Sequence, residues 1–236
     1  MSRGGDANET VRDYSAYSQH GTFGTTQPTR GIRGDSICGV FAAGAVNYYT
    51  TPFALPLVDF TATAWFYPIG NYTFRRIVDF NYSTGFWLGH SGSSGANFGG
   101  GVQNSGPPYG IFLTGTLNAW QFIAIQRIGS TAYLHLWGPT GYQTTSGACG
   151  GTALNTSNRI HIGCSHPAEV KESDNWAGGI DEVRIYDRAI DIGTLNVLAS
   201  RRGIAYETKP RPLSRKLSAA TFKSAWARNS NVLIGL

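Results

Sequence analysis

The stretch from Trp176 to Leu198, WAGGIDEVRIYDRAIDIGTLNVL, holds the chain to one kind of ending, a long strand that feeds directly into a short helix. Along Ile180–Tyr186 the apolar Ile180, Val183 and Ile185 are interleaved with Asp181, Glu182 and Arg184. That mostly period-2 pattern predicts a strand with one wet face. Gly178-Gly179 lets the backbone enter it through a bulge or unusual torsions. After Tyr186 the rhythm changes. Asp191 stands where an N-cap is expected, Ile192, Leu195 and Leu198 with Ala199 repeat at helical spacing, and Gly203 sits where a chain leaves a helix.

The rest of the chain is built for strands. Thirty-one glycines, ten prolines and thirty aromatic residues against 14% charge describe many strands joined by tight turns. A length of 236 residues suits one sandwich and does not require two domains. No apolar run reaches the ~18 residues of a membrane span, so no membrane partner is expected. The opening MSRGGDANET lacks an apolar core and a small-residue cleavage site, which predicts a product made without a secretory leader. Without that pathway the sequons at Asn8, Asn71, Asn81 and Asn155 carry no glycan.

Four stretches in order point to one fold. They are Val11–Ser15 with His20-Gly21-Thr22, then Phe60–Pro68 (FTATAWFYP), then Trp120–Arg127 (WQFIAIQR) turning at Gly129-Ser130 into Thr131–Trp137, and finally GGIDEVRIYDRAI. Together they resemble the LamG-like, concanavalin A-like lectin/glucanase superfamily. The resemblance implies an all-β jelly-roll sandwich with one short C-terminal helix, followed here by an extended C-terminal arm. The organisation is then an N-terminal arm (1–10), a LamG-like domain (11–203) and a basic arm with an apolar end (204–236). Trp65 and Trp120 fall in family-matching strands and are expected to be structural.

Fold alone does not give function. Ser91–Gly110 is rich in glycine, carries Pro107-Pro108 and is poor in hydrophobes, so it reads as a loop, the kind that surrounds a ligand face. A sugar offers an apolar ring face and a hydroxyl edge, which calls for an aromatic platform beside amide, imidazole or charged groups. Trp87, His90, Asn97, Asn104, Tyr109 and Tyr142 are the candidates for a glycan. Hydrolysis would need two carboxylates about 5–9 Å apart. The E-x-D-x-E pattern of the superfamily's glucanases is absent, and Asp181 and Glu182, being adjacent, are expected on opposite faces. No nucleophile elbow occurs, so the expectation is a non-enzyme.

Many superfamily members hold a structural Ca2+, and the resemblance makes Asp13 and Asp181 its candidate ligands, with other cofactors absent. The competing reading has Asp181 accepting backbone hydrogen bonds at the sandwich edge. Cys38, Cys149 and Cys164 form no recognisable framework. They read as reduced thiols, a Cys149–Cys164 bridge being the one alternative. The Arg33-Gly34-Asp35 triplet lies in a glycine-rich turn and is taken as chance.

The tail changes the functional expectation. Residues 201–236 carry eight basic residues and Glu207, 8 − 1 = +7, whereas the other 200 carry 11 − 13 = −2. Nucleic-acid contact would explain charge alone. Phe222, Trp226 and the apolar finish Val232–Leu236 fit docking on protein instead. Arg211, Arg215, Leu217, Phe222, Trp226, Leu233 and Ile234 are therefore the expected partner-anchoring residues. The SRRGIAYE string and the basic, apolar-ended finish also resemble terminal arms of LamG-domain virion proteins of tailed bacteriophages. The expectation is a non-enzymatic virion structural protein, a capsid decoration or tail component assembled in the host cytoplasm. It would be homo-oligomeric, anchored by its arm to other virion proteins, and would offer weak glycan adhesion. The alternative is a bacterial carbohydrate-binding or adhesion module with no viral role.

Overall fold

The computed structural model describes residues 22–23, 29–33, 36–41, 49–51, 57–70, 74–80, 85–90, 95–102, 110–151, 153–154, 160–164, 175–200, 202 and 232–235. In chain order the strands are β1 (Thr22–Phe23), β2 (Thr29–Arg33), β3 (Ser36–Phe41), β4 (Tyr49–Thr51), β5 (Phe60–Pro68), β6 (Arg76–Phe80), β7 (Phe86–His90) and β8 (Asn97–Val102). They continue as β9 (Gly110–Thr114), β10 (Gln121–Ile128), β11 (Thr131–Gly138), β12 (Gly141–Ala148), β13 (Ile160–Ile162) and β14 (Gly178–Tyr186). The helix α1 (Ile192–Ser200) and β15 (Val232–Gly235) follow. Sheet A has the order β1-β4-β13-β6-β7-β8-β9, and sheet B the order β12-β11-β10-β5-β14-β3-β2. Two antiparallel sheets and one short helix form the jelly-roll sandwich expected from the sequence.

Period-2 alternation fills the space between the sheets. Sheet B contributes Phe60, Ala62, Ala64 and Phe66 of β5, Ile123 and Ile125 of β10, and Leu134 and Leu136 of β11. Sheet A answers with Val78, Phe86, Leu88, Phe98, Ile160 and Ile162. The Phe66 ring sits 4.8 Å from Phe98 and 5.8 Å from Trp176, a cross-sheet aromatic cluster. Ser91–Gly110 is not the continuous loop expected from its composition. Its segment Asn97–Val102 is a buried strand between β7 and β9, because glycine lets the sheets approach closely. A Cβ at Gly100 would lie 2.7 Å from Ile125 Cδ1, across the core, and 3.0 Å from the Trp87 carbonyl oxygen.

The outer face of sheet B carries a second apolar cluster. Phe122, Ala124, Tyr186 and Ile190 pack against Leu195 and Ala199 of α1, with Trp65, Trp137 and Leu198 at its border. Asp191 caps the helix, its carboxylate accepting the Thr194 N–H at 2.9 Å and the Thr194 hydroxyl at 2.7 Å. Those bonds hold its carboxyl below the usual carboxylate range. The buried stripe is Leu195 and Ala199, whereas Ile192, expected on it, is exposed.

The wet face predicted for β14 does not exist. All nine of its residues are buried, since the strand lies inside sheet B with the core on one face and, on the other, Tyr186 packed against α1 and Asp181 facing Arg202. Its charges are paired instead, Glu182 with Arg184 at 2.8 Å and Asp181 with Arg202 at 3.8 Å. A register shift falls between Asp181 and Arg184, and Glu182 has φ of 47°, so the strict alternation assumed for the two acids fails there. On the side away from β5, β14 bonds to β3 along Gly178–Ile180 and to β15 along Arg184–Tyr186. Leu233 and Ile234, expected to grip another protein, thus belong to a strand of the chain's own sheet, completing the part of β14 that β3 does not reach. Arg211, Arg215, Leu217, Phe222 and Trp226 lie outside the described residues.

No disulfide joins Cys149 to Cys164, and burial pushes both thiols up. Cys38 lies in β3.

A polar network fastens the β14–α1 connection to sheet B. Thr61 Oγ1 accepts from Gln126 Nε2 at 3.1 Å and from the Ile190 N–H at 3.0 Å, and it donates to the Arg188 carbonyl at 3.0 Å. Gln126 Nε2 also donates to the Ile190 carbonyl at 2.7 Å, which leaves Oε1 to accept from His135 Nε2 at 3.1 Å. His135 is thereby fixed as the Nε2–H tautomer, and its Nδ1 accepts from the Tyr142 hydroxyl at 2.9 Å. Thr61→Val removes the node and strands buried donors and acceptors. The expected loss is roughly 2–3 kcal/mol in urea unfolding.

Burial holds His135 at a pKa of about 4, and His90 is likewise held at about 4 by burial and by Arg75. Both values lie below the unfolded value of about 6.5. The stability that the neutral rings contribute is therefore complete above about pH 6.5 and is lost as pH falls toward 4. His90 packs 4.5 Å from Phe98 and 5.8 Å from Trp176, with neither ring nitrogen hydrogen-bonded among the described residues. His90→Phe should leave stability near pH 8 within about 1 kcal/mol of the parent. It should raise the urea midpoint at pH 5; an equal effect at both values would contradict the assignment.

Candidate functional site

Alternation that sends Phe86, Leu88 and Phe98 into the core sends Trp87 of β7 and Asn97, Gly99 and Gly101 of β8 to the outer face of sheet A. Registration adds Phe112 opposite Gly99 and Thr114 opposite Asn97 from β9, and Asp79 of β6 opposite Trp87. On this face the glycines form a bed for one ring. A Cβ at Gly99 would stand 2.2 Å from Phe112 Cδ1, and one at Gly110 would stand 2.4 Å from its Cζ. Phe112 therefore lies flat across two strands and remains 45% exposed. Beside it the Thr114 hydroxyl donates to Asn97 Oδ1 at 3.2 Å. An apolar ring next to an amide and a hydroxyl is the pairing that a sugar's ring face and hydroxyl edge require.

The residues proposed from sequence are divided by the fold. Asn97 falls at this site. Trp87 does too, but only 4% of it is exposed: its ring lies 6.1 Å from Phe112, with the Arg76 guanidinium 4.1 Å above its centroid. It supports the neighbouring ring and offers no free platform, because a cation occupies its face. His90 points into the core, where solvent reaches 1% of it, and is removed from the ligand set. Tyr142 is exposed but stands on the outer face of sheet B, 4.8 Å from Trp137, and gives its hydroxyl to His135. It shares no surface with Phe112. Asn104 and Tyr109 lie outside the described residues. The residue that the sequence reading missed is Phe112, whose signal was the alternation of Ile111 and Leu113 with Phe112 and Thr114 between Gly110 and Gly115.

Asp79, Asp59 and Asp181 are each engaged structurally. Asp79 lies 3.7 Å from Arg76. Asp59 accepts the Gly129 N–H at 2.8 Å. Asp181 accepts the Glu182 N–H at 2.9 Å and faces Arg202, whose guanidinium also lies 3.9 Å over the Trp120 ring. A Ca2+ ion at Asp181 would share its carboxylate with a guanidinium, and among the described residues no three His, Cys, Asp or Glu side chains gather as ligands. These residues do not fit a cation there, and Asp13, the other candidate ligand, is outside the described residues. No helix of the described residues is long and apolar enough to cross a membrane.

Comparison with known proteins places this geometry in context. No curated protein sequence matches the chain. Among solved structures it is similar to domain 4 of AbnA, an extracellular GH43 arabinanase from Geobacillus stearothermophilus, in complex with arabinotriose. That match has TM-score 0.55 and 15% identity, covering 81% of this chain and 98% of that one. It is also similar to the enzymatically active domain of tailspike protein 2 from bacteriophage CBA120. Here the TM-score is 0.55 at 11% identity, over 80% of this chain but 30% of that one, so the chain spans under a third of the tailspike's length. A third match, to a putative carbohydrate binding protein from Bacteroides ovatus, has TM-score 0.53 and 14% identity over 72% and 46% of the two chains. Identities this low speak for the fold alone. The family model described as concanavalin A-like lectin/glucanases superfamily matches residues 43–192, more than half of the sequence, and the chain belongs to that superfamily.

Proposed function

We propose that this protein is a non-catalytic, lectin-like component of a tailed-phage particle that holds glycans on the outer face of sheet A. The observation that carries the glycan half of this reading is the exposed Phe112 ring, seated on Gly99 and Gly110 beside Asn97 and Thr114. A ring fixed in this way loses little freedom when a sugar stacks on it. The non-catalytic half is supported by carboxylates tied to Arg76, Arg184 and Arg202 rather than set across a cleft. The particle half is supported by the fold shared with a phage tailspike domain and by the basic, aromatic segment 203–231.

A second reading is favoured by the likeness to the arabinanase domain in complex with arabinotriose, which the present chain covers almost completely. In that reading the sandwich is a carbohydrate-binding module of bacterial origin with no viral role. The two part on what the C-terminal segment does. Because β15 completes sheet B, deleting the whole arm would damage the fold. The informative variant combines Arg211→Ala, Arg215→Ala, Phe222→Ala and Trp226→Ala. The phage reading expects that variant to fold and bind glycan normally but to be lost from purified particles. Undiminished incorporation would remove the anchoring role.

Glycan binding has its own test. A glycan array followed by calorimetry should find a ligand whose affinity falls about tenfold on Phe112→Ala, in line with the loss of one aromatic stacking contact. Tyr142→Ala, on the other sheet, should leave affinity unchanged. A ligand insensitive to Phe112→Ala would move the site elsewhere, and release of reducing sugar from it would contradict the non-catalytic assignment.

A further inference from the structure

The edge of sheet B formed by β12 is eight residues long, and among the described residues no strand pairs with its outer side. Its eight residues, Gly141 to Ala148, pair with β11 in unbroken register and include no charged residue and no proline. Sheet edges usually carry charges, prolines or bulges that prevent another chain from adding to them. The opposite edge of the same sheet, β2, has two arginines in five residues. In sheet A the edge strand β9 lies against β12, with Gln143 Nε2 bonded to the Thr114 carbonyl at 2.8 Å and Gly147 close to Ile111.

Hairpin chemistry identifies the outward-facing backbone groups. Gly138 and Gly141 close a two-residue turn and so form a hydrogen-bonded pair. Pairs alternate from there, which sends the N–H and C=O of residues 143, 145 and 147 toward β11. The Cys149 N–H, two further along, bonds to the Ser130 carbonyl at 2.8 Å, as this parity requires. Tyr142, Thr144, Ser146 and Ala148 therefore present their backbone groups outward from the sheet, where no described residue takes them.

We propose that β12 pairs with β12 of a second copy of this chain about a two-fold axis midway between the two Thr145 residues. Antiparallel pairing of identical edges keeps opposed side chains on one face, so one residue must oppose its own copy across the axis. Centring it on Thr145 is the register that uses all four outward-facing residues of each strand. Tyr142 then opposes Ala148 of the second copy, and Thr144 opposes its Ser146. A large ring meets a methyl group, hydroxyls meet each other, and no like charges face across the seam. The second copy is favoured as occupant because the strand is complementary to itself, whereas a charged partner would find nothing here to recognise it. This inference is separate from the glycan reading, since β12 meets β9 through Gln143 on the Thr114 backbone carbonyl and through Gly147 beside Ile111, not through the Phe112 ring.

Sedimentation velocity on the full chain, from micromolar to millimolar concentration, should show a monomer–dimer equilibrium. Hydrogen exchange at the amides of residues 142, 144, 146 and 148 should slow about tenfold in the dimer. A chain that stays monomeric throughout, or exchange at these amides that ignores concentration, overturns the proposal. Two double variants test the register while placing the same burden on the monomer. Thr144→Lys with Ser146→Lys sets like charges opposite one another and should abolish the dimer, whereas Thr144→Lys with Ser146→Glu sets opposite charges and should retain it. Circular dichroism checks that both fold, and equal dimerisation of the two would refute the pairing.

Discussion

The close approach of the two sheets at β8 is the constraint on which the rest of this molecule depends. Gly100 faces inward, where Ile125 from the opposite sheet comes so near that no side chain could stand between them. Gly99, its neighbour, faces outward and is covered by the Phe112 ring. One short glycine run therefore sets the thickness of the core on one side and the seating of the exposed aromatic on the other. Fold and candidate site are joined at this strand: a change that widened the core at Gly100 would also tilt the platform above Gly99. The usual entropic cost of glycine in a strand is offset by packing that only glycine permits.

How much of this was legible in the sequence depended on whether local pattern and tertiary context agreed. Phe60–Pro68 alternates threonine with inward apolar residues and could be read directly, whereas Trp120–Trp137, whose first strand is buried on both faces, was legible through its family resemblance. Asp191 could be read as a cap because an N-cap is a local device, satisfied by the Thr194 N–H and hydroxyl. β14 was misread on its outer face because the cover comes from α1 and from Arg202, and a charge paired within the fold has the same letter as a charge in water. Asn97–Val102 was taken as loop because glycine carries no hydrophobic signal, even where it lines the core. Trp87 and His90 were misassigned for a related reason. An aromatic at a strand end reads the same whether its face is free, capped by a guanidinium or sunk among other rings. The joining of β15 to β14 has no local signature, since it brings residues about fifty positions apart into register.

The two faces of the sandwich have separate duties, and the separation is physical. On the outside of sheet B, α1 covers Phe122 and Ala124, while the Thr61–Gln126–His135 network ties the helix connection to the sheet. That side is committed to stability. Among the described residues no helix covers the outside of sheet A near β9, and Phe112 is left exposed there. A two-fold axis perpendicular to sheet B does not exchange inside and outside, so both Phe112 faces of a β12-paired dimer point the same way. Two weak sites facing one glycan-bearing surface act at an effective concentration set by their fixed spacing, which raises avidity by orders of magnitude without any new contact at either site. A single platform of one phenylalanine with an amide and a hydroxyl would hold a glycan weakly; in the proposed β12-paired dimer the same platform would act as an adhesive surface.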